Sequence, residues 1–363
     1  QHTLVRRRLA ALARRDRIED ADVARLSAIA ALHDIGKFNR GFQRKADPRA
    51  MNTAGHVREV LALIGSSYRE HELLERALPT ADLEQWNGEG GAFELLVAAI
   101  GHHGRPTRCD ELAVDRSLWI PGALDPFAGI SSLTAAVKTW FPDAFERSSA
   151  SLPDAPEFQH GFAGLVMLAD WIGSDRAFFD FADSLDDRMP FARRAAREAL
   201  RAIGLDAVAA RSSLGSEVPG FERVSRFAPR EAQARTLALP RPSEGGLVIL
   251  ESETGSGKTE AALGRFVQLF HAGLVDGMVF ALPTRTAATQ LHARVVEALR
   301  LAFPDDATRP SAVLAVPGYL QFDDLDAIPA GPLAWLHSLW GIMEWSAIAA
   351  ILGYARACNP KDS

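Results

Sequence analysis

Ala31-Leu32-His33-Asp34-Ile35-Gly36-Lys37 sets the reading of the first half of the chain. Leu26, Ile29, Ala30 and Leu32 recur at helical spacing, so a histidine and an aspartate stand side by side where an apolar helix ends. A polar pair is costly there unless it has a partner. Candidate partners follow the same pattern. Gly55-His56 precedes the helical run Val57, Val60, Leu61 and Ile64. His102-His103-Gly104 closes the apolar run Phe93–Ile100. Asp170 lies in Leu168-Ala169-Asp170-Trp171, inside the run Phe162–Ile172. A His-Asp dipeptide, a later His, a His-His pair and a later Asp together point to a metal site. Imidazole nitrogen and carboxylate oxygen suit borderline divalent transition metals. Two ions sharing one carboxylate clamp the attacking and leaving oxygens of a phosphodiester.

Residues 1 to about 180 carry no β-type alternation and are expected to be helical. An Arg/Ala-rich helix is expected over 190–203, and Ser212–Gly220 is the best linker candidate. The texture then changes. Leu247-Val248-Ile249-Leu250 predicts a strand, followed at once by Thr254-Gly255-Ser256-Gly257-Lys258-Thr259 and a helix. Backbone amides of such a loop cradle phosphates. Lys258 is expected to reach the terminal phosphates and Thr259 the Mg2+ of ATP. Met278–Leu282 predicts a second strand and residues 287–302 a second helix, which makes a βαβ unit with a parallel sheet. After residue 260 no Asp-Glu box follows. Phe322-Asp323-Asp324 is the nearest acidic pair, so ATP binding is expected and hydrolysis by this chain alone is not.

The chain has 363 residues, enough for two cores, with 47% hydrophobic and 24% charged residues. The net charge of −6 excludes a globally basic protein, and any nucleic-acid surface must be local. Arginines cluster at Arg6, Arg7, Arg8, Arg14 and Arg15, and at Arg193, Arg194, Arg197 and Arg201, which reads as solvated helix faces. Two cysteines, Cys109 and Cys358, form no disulfide framework, and with no apolar signal segment a cytoplasmic location is expected. The chain opens at Gln1-His2 without a starting Met, which leaves room for residues upstream. The apolar stretch Leu333–Ala357 contains His337 and Glu344, so a packed or non-native tail is expected ahead of a membrane span.

The order of ligands resembles the HD superfamily of metal-dependent phosphohydrolases. Leu-His-Asp-Ile-Gly-Lys-Phe, His-His-Gly-Arg-Pro and Ala-Asp-Trp-Ile-Gly-Ser are similar to the CRISPR-associated nuclease–helicases of type I interference systems, over about residues 1–325. The resemblance implies a multidomain chain. An all-α HD phosphohydrolase domain (1–210) and a linker (211–225) precede a partial RecA-like α/β helicase lobe (226–328) and a tail of unassigned role (329–363). It implies two divalent transition-metal ions of the Fe, Mn, Ni or Co class. His2, His33, Asp34 and Asp170 would hold one, and Asp34, His56, His102 and His103 the other, with Lys37 steadying phosphate charge. His71 and His160 match no motif. Phe227–Gln233 looks like the motif whose glutamine, here Gln233, contacts adenine, and Leu282–Arg285 looks like a segment that holds nucleic-acid backbone. The implied partners are single-stranded DNA and an RNA-guided surveillance complex, with no membrane. The rival readings are an HD phosphohydrolase of nucleotides and a truncated, non-catalytic fragment that binds DNA or its complex.

Overall fold

The computed structural model describes residues 3–87, 91–103, 113–146, 151–180, 188–241, 245–316 and 319–322. They fall into two compact units, one reaching Ser174 and one beginning at Asp175. His2, Asp323, Asp324 and the stretch from 329 on lie outside the described residues.

The first unit is helical. Its elements are α1 (Thr3–Leu12), α2 (Asp20–Ala31), α3 (Arg40–Gln43), α4 (Val57–Ile64), α5 (Arg69–Ala77), α6 (Thr80–Asn87), α7 (Gly91–Ile100), α8 (Pro126–Trp140) and α9 (Pro156–Gly173). α7 packs against α9, α6 and α2, and α1 runs against α9. Leu26, Ile29, Leu32, Ile35, Val60, Leu61, Leu95, Leu96, Ile100, Phe158 and Phe162 form one buried core. Each such side chain contributes roughly 1.5–3 kcal/mol when fully buried.

α2 starts at a capping box, in which the Glu19 amide donates to the Asp22 carboxylate at 3.1 Å. It ends at Leu32, and a single 3-10 turn, Ile35–Phe38, follows the His33-Asp34 pair. Asn39, fully buried, holds this turn in place. Its amide donates to the Gly36 carbonyl at 2.8 Å and to the Gly55 carbonyl at 2.7 Å, while its oxygen caps α3 by accepting from the Phe42 amide at 2.8 Å. Gly36 lies so close to the chain before α4 that a Cβ there would stand 1.9 Å from the His56 carbonyl oxygen.

The second unit contains α10 (Met189–Ala202), α11 (Val208–Ser213), α12 (Glu231–Ala238), α13 (Lys258–His271) and α14 (Arg285–Ala302). Strands β1 (Val313–Val316) and β2 (Tyr319–Phe322) complete it. β1 and β2 pair antiparallel from Val313↔Phe322 to Val316↔Tyr319. The core is Phe221, Val224, Leu263, Val267, Phe270, Val296, Leu299 and Phe303, where α13 meets α12 and α14. On α10, Ala195 and Ala199 are buried while Arg193, Arg194, Arg197 and Arg201 are exposed.

The parallel sheet expected from 247–250 and 278–282 is not formed: neither segment is a strand. Leu247 is 89% exposed, Ile249 77% and Val279 66%. A parallel strand is stable only with strands beside it and cover on both faces, and among the described residues these segments have neither. The two helices that follow them do form.

Asn39→Ala leaves the half-buried Gly55 carbonyl without its donor and the Phe42 amide without its acceptor, and reduces the Gly36 carbonyl to the one bond it accepts from the residue-39 backbone amide, at ~1–3 kcal/mol for each group left without a partner. We expect a loss of roughly 3 kcal/mol in the denaturant unfolding of the first unit, with Asn39→Asp recovering only the α3 cap. Unaltered stability of Asn39→Ala would show that Asn39 does not hold the turn.

Candidate functional site

Four segments converge in the first unit: the turn after α2, the residue before α4, the end of α7 and the last turn of α9. They bring together His33, Asp34, His56, His102, His103 and Asp170. His33 Nε2 lies 3.2 Å from Asp34 Oδ2 and 3.5 Å from Asp170 Oδ1. His56 Nε2 lies 3.3 Å from Asp34 Oδ1 and 3.2 Å from His103 Nε2. His102 Nε2 stands 3.9 Å from Asp34 Oδ1 and 3.8 Å from Asp170 Oδ2. The Lys37 ammonium pairs with Asp34 Oδ2 at the half-exposed rim.

The helix ends orient two of the rings. His33 Nδ1 faces the Ala30 carbonyl at 2.7 Å, and His102 Nδ1 faces the Ala99 carbonyl at 3.1 Å. In both cases the carbonyl three residues back accepts a hydrogen bond from Nδ1 and leaves Nε2 pointing into the cluster. His102 is 2% exposed. Burial works against charge on His33, but the Asp170 and Asp34 carboxylates outweigh it and push its pKa up to about 9. Burial pulls His56 down to about 4, with His103 and Lys37 reinforcing it against Asp34. His102 is lowered by burial and by His103 and His33. Burial opposes ionisation of Asp34 and Asp170, yet His33 holds both below the usual carboxylate range, with Lys37 adding to the effect on Asp34.

This arrangement fits metal ions. His33 Nε2 and Asp34 Oδ1 are buried without a hydrogen-bond partner, a state that native proteins rarely tolerate. His56, His102 and His103 form one group whose donor atoms lie within 4.8 Å of one another, and His33, Asp34 and His102 form a second. Donors 3–4 Å apart are the spacing expected around one ion with bonds of ~2.0–2.2 Å. His102 belongs to both groups. His71 stands apart and pairs with Glu75 at 3.3 Å.

In the second unit the glycine loop opens α13. Gly255 and Gly257 have φ of +79° and +88°, which side chains rarely adopt. Lys258 folds back on the loop and donates to the carbonyls of Ser252 and Glu253 at 2.6 and 2.8 Å. Thr254, Gly255, Gly257, Lys258 and Thr259 line a cavity of about 750 Å3. Ser256 meets the Ser252 hydroxyl at 2.5 Å. Gln233 is buried and donates to the Gly257 carbonyl at 3.0 Å, while its oxygen accepts from the Arg230 amide at 2.8 Å. The sequence reading did not single out Phe227 itself, which is 83% exposed at this cavity. Nor did it find the ion pairs Arg226–Glu297 (3.1 Å) and Arg294–Glu260 (2.5 Å), which tie α14 to the cavity wall. Charge complementarity across helices leaves no periodic signal. Thr284 caps α14, its hydroxyl accepting from the Ala287 amide at 3.2 Å.

Residues 1–179 match the family model for the HD domain of Cas3. The CRISPR-associated endonuclease/helicase Cas3 of Thermus thermophilus is 29% identical over 295 residues, covering 76% of this chain and 30% of that protein. That of Escherichia coli is 28% identical over 310 residues, covering 73% and 32%. A crystal structure of a CRISPR-associated protein shares the fold with a TM-score of 0.61 at 23% identity, over 84% of this chain and 34% of its own. The structure of T. fusca Cas3 with AMPPNP gives 0.50 at 25% identity, over 82% and 33%. The chain thus spans about a third of the length of the relatives it matches.

A Cβ at position 257 would stand 2.1 Å from Gln233 Nε2. Gly257→Ala therefore combines left-handed strain of ~1–2 kcal/mol with displacement of Gln233. We expect it to lower the thermal unfolding midpoint of the second unit, and a parent-like midpoint would refute the contact of Gln233 with Gly257 as a stabilising one.

Proposed function

We propose, for a chain whose first 179 residues carry a Cas3-type HD domain, that the His/Asp cluster hydrolyses phosphodiesters of single-stranded DNA with two divalent transition-metal ions. We propose also that the glycine-loop region binds ATP with Mg2+. The observation that carries the nuclease reading is the convergence of four histidines and two aspartates from four segments, with His33 Nε2 and Asp34 Oδ1 buried among charged neighbours at 3.2–3.9 Å.

His33, Asp34 and Asp170 would hold one ion, joined by His2 if the resemblance extends to it. Asp34, His56, His102 and His103 would hold the other. Asp34 is the bridging candidate because its two oxygens face different histidines, Oδ2 towards His33 and Oδ1 towards His56. When bound, such ions supply Lewis acidity that activates water at neutral pH and offsets phosphate charge. The chain's own residues do the rest. The Ala30 and Ala99 carbonyls hold the His33 and His102 rings in orientation, and Asp34 and Asp170 keep their charge inside a buried cluster. Lys37, which pairs with Asp34 at the rim, would turn to a non-bridging phosphate oxygen when the ions take up the Asp34 carboxylate.

Metals of the Fe, Mn, Ni or Co class fit this mixed nitrogen–oxygen donor set. The CRISPR-associated names of the relatives extend the reading to DNA delivered by an RNA-guided surveillance complex. A nucleotide phosphohydrolase would instead favour free nucleotides, so assaying both substrates separates the two readings. ATP hydrolysis by this chain alone is expected to stay at background, with DNA present or absent.

Asp34→Ala should remove both ions together. Elemental analysis of the purified variant checks this, and full metal occupancy would refute the bridging role. His102→Ala should reduce cleavage of single-stranded DNA at least about 100-fold more than Lys258→Ala does, because opening an ion's shell raises the barrier by several kcal/mol. Equal losses in a gel cleavage assay without ATP would tie strand cutting to the nucleotide site and overturn their separation.

A further inference from the structure

Between the two halves of the cluster, the chain reverses its charge. Lys37, Arg40, Arg44, Lys45, Arg49 and Arg58 stand from residue 37 to 58 against Asp47 as the one carboxylate, in a protein of net charge −6. Lys37 is taken up by Asp34. Arg44, Lys45, Arg49 and Arg58 are exposed, and among the described residues no carboxylate forms an ion pair with any of these four. A solvated helix face normally interleaves both signs. Here cations far outnumber the one carboxylate, the exposed Asp47, along the chain that leads from Asp34 to His56.

Geometry ties this display to the cluster. The Phe42 ring meets the His56 ring edge-on at 5.2 Å, and the Lys45 ammonium lies 4.6 Å from the same Phe42 ring. A free cation is therefore one aromatic ring away from a cluster imidazole. Arg58 follows His56 by two residues, in the first turn of α4. Arg44 donates to the Asn52 carbonyl at 3.2 Å, which closes the loop carrying Arg49. Met51 on that loop is 93% exposed. Cations that match phosphates, beside an apolar side chain free to meet a base, suit an unpaired strand whose base faces are open. A duplex hides those faces.

We propose that residues 40–58 form a strand-binding track in which Lys45, Arg49 and Arg58 take backbone phosphates and Met51 meets an unstacked base. The track aims the scissile diester at the His33–Asp34–His56 cluster. It rests on the nuclease reading for its purpose, not for its binding. Each phosphate contact on a single strand contributes ~0.7 to the slope of log affinity against log salt. The triple variant Lys45→Gln/Arg49→Gln/Arg58→Gln should lower that slope by about 2 for fluorescent oligothymidine bound to the metal-free full chain. The charge-conserving triple Lys45→Arg/Arg49→Lys/Arg58→Lys should keep it.

With metal added, the neutralised triple should lower the ratio of oligothymidine cleavage to bis(p-nitrophenyl) phosphate hydrolysis at least about tenfold, because the small diester needs no track. An unchanged slope or an unchanged ratio would overturn the track, as would an equal loss in the charge-conserving triple. If the parent chain cleaves neither substrate while the slope still falls, the nuclease reading fails and the binding track stands.

Discussion

The contact between Gly36 and the His56 backbone is the constraint on which the first unit's chemistry depends. No side chain fits between them, so the turn after α2 and the entry to α4 meet at backbone distance. Only at that distance does His56 Nε2 come within 3.3 Å of Asp34. Bringing two stretches of main chain so close strips water from their carbonyls, a penalty of a few kcal/mol if left uncompensated. Asn39 offsets it by donating to one carbonyl on each side. The glycine, the asparagine and the His-Asp pair are thus one device: the first permits the approach, the second satisfies it, and the third uses it.

The two halves of the chain were unequally legible. His33, Asp34, His102 and Asp170 stood out because a polar residue closing or interrupting an apolar helix contradicts its surroundings, and the contradiction is visible in one dimension. The close approach of Gly36 was not visible, because nothing local says that residue 56 returns to residue 36. Phe42 and Asn39 were missed for the same reason. Segments 247–250 and 278–282 carry strand-type residues, but a parallel strand is completed by neighbours that its own sequence does not name. The helices after them needed no such neighbours, since a helix closes its hydrogen bonds within itself. Gln233 was legible as a motif residue, yet its buried grip on the Gly257 carbonyl is a tertiary fact.

Electrostatics divides the first unit into two regimes. Inside the cluster, burial opposes charge on His33, Asp34 and Asp170, and the opposite charges beside each of them outweigh it, so protonation is set residue by residue. On the 40–58 segment Arg44, Lys45, Arg49 and Arg58 are exposed and, among the described residues, outside any ion pair, so their effect is collective and screened by salt. A single net charge of −6 conceals both.

Leu247, Val248, Ile249, Met278, Val279 and Leu282 leave the second unit with apolar side chains open to water. Uncharged and rich in β-formers, such stretches are templates for pairing with identical stretches on other molecules. In concentrated solution the chain would then be limited by colloidal behaviour rather than by unfolding. Its solubility would fall with protein concentration at temperatures where both cores are intact, and Lys or Pro substitutions in these two stretches would raise solubility without touching the cluster.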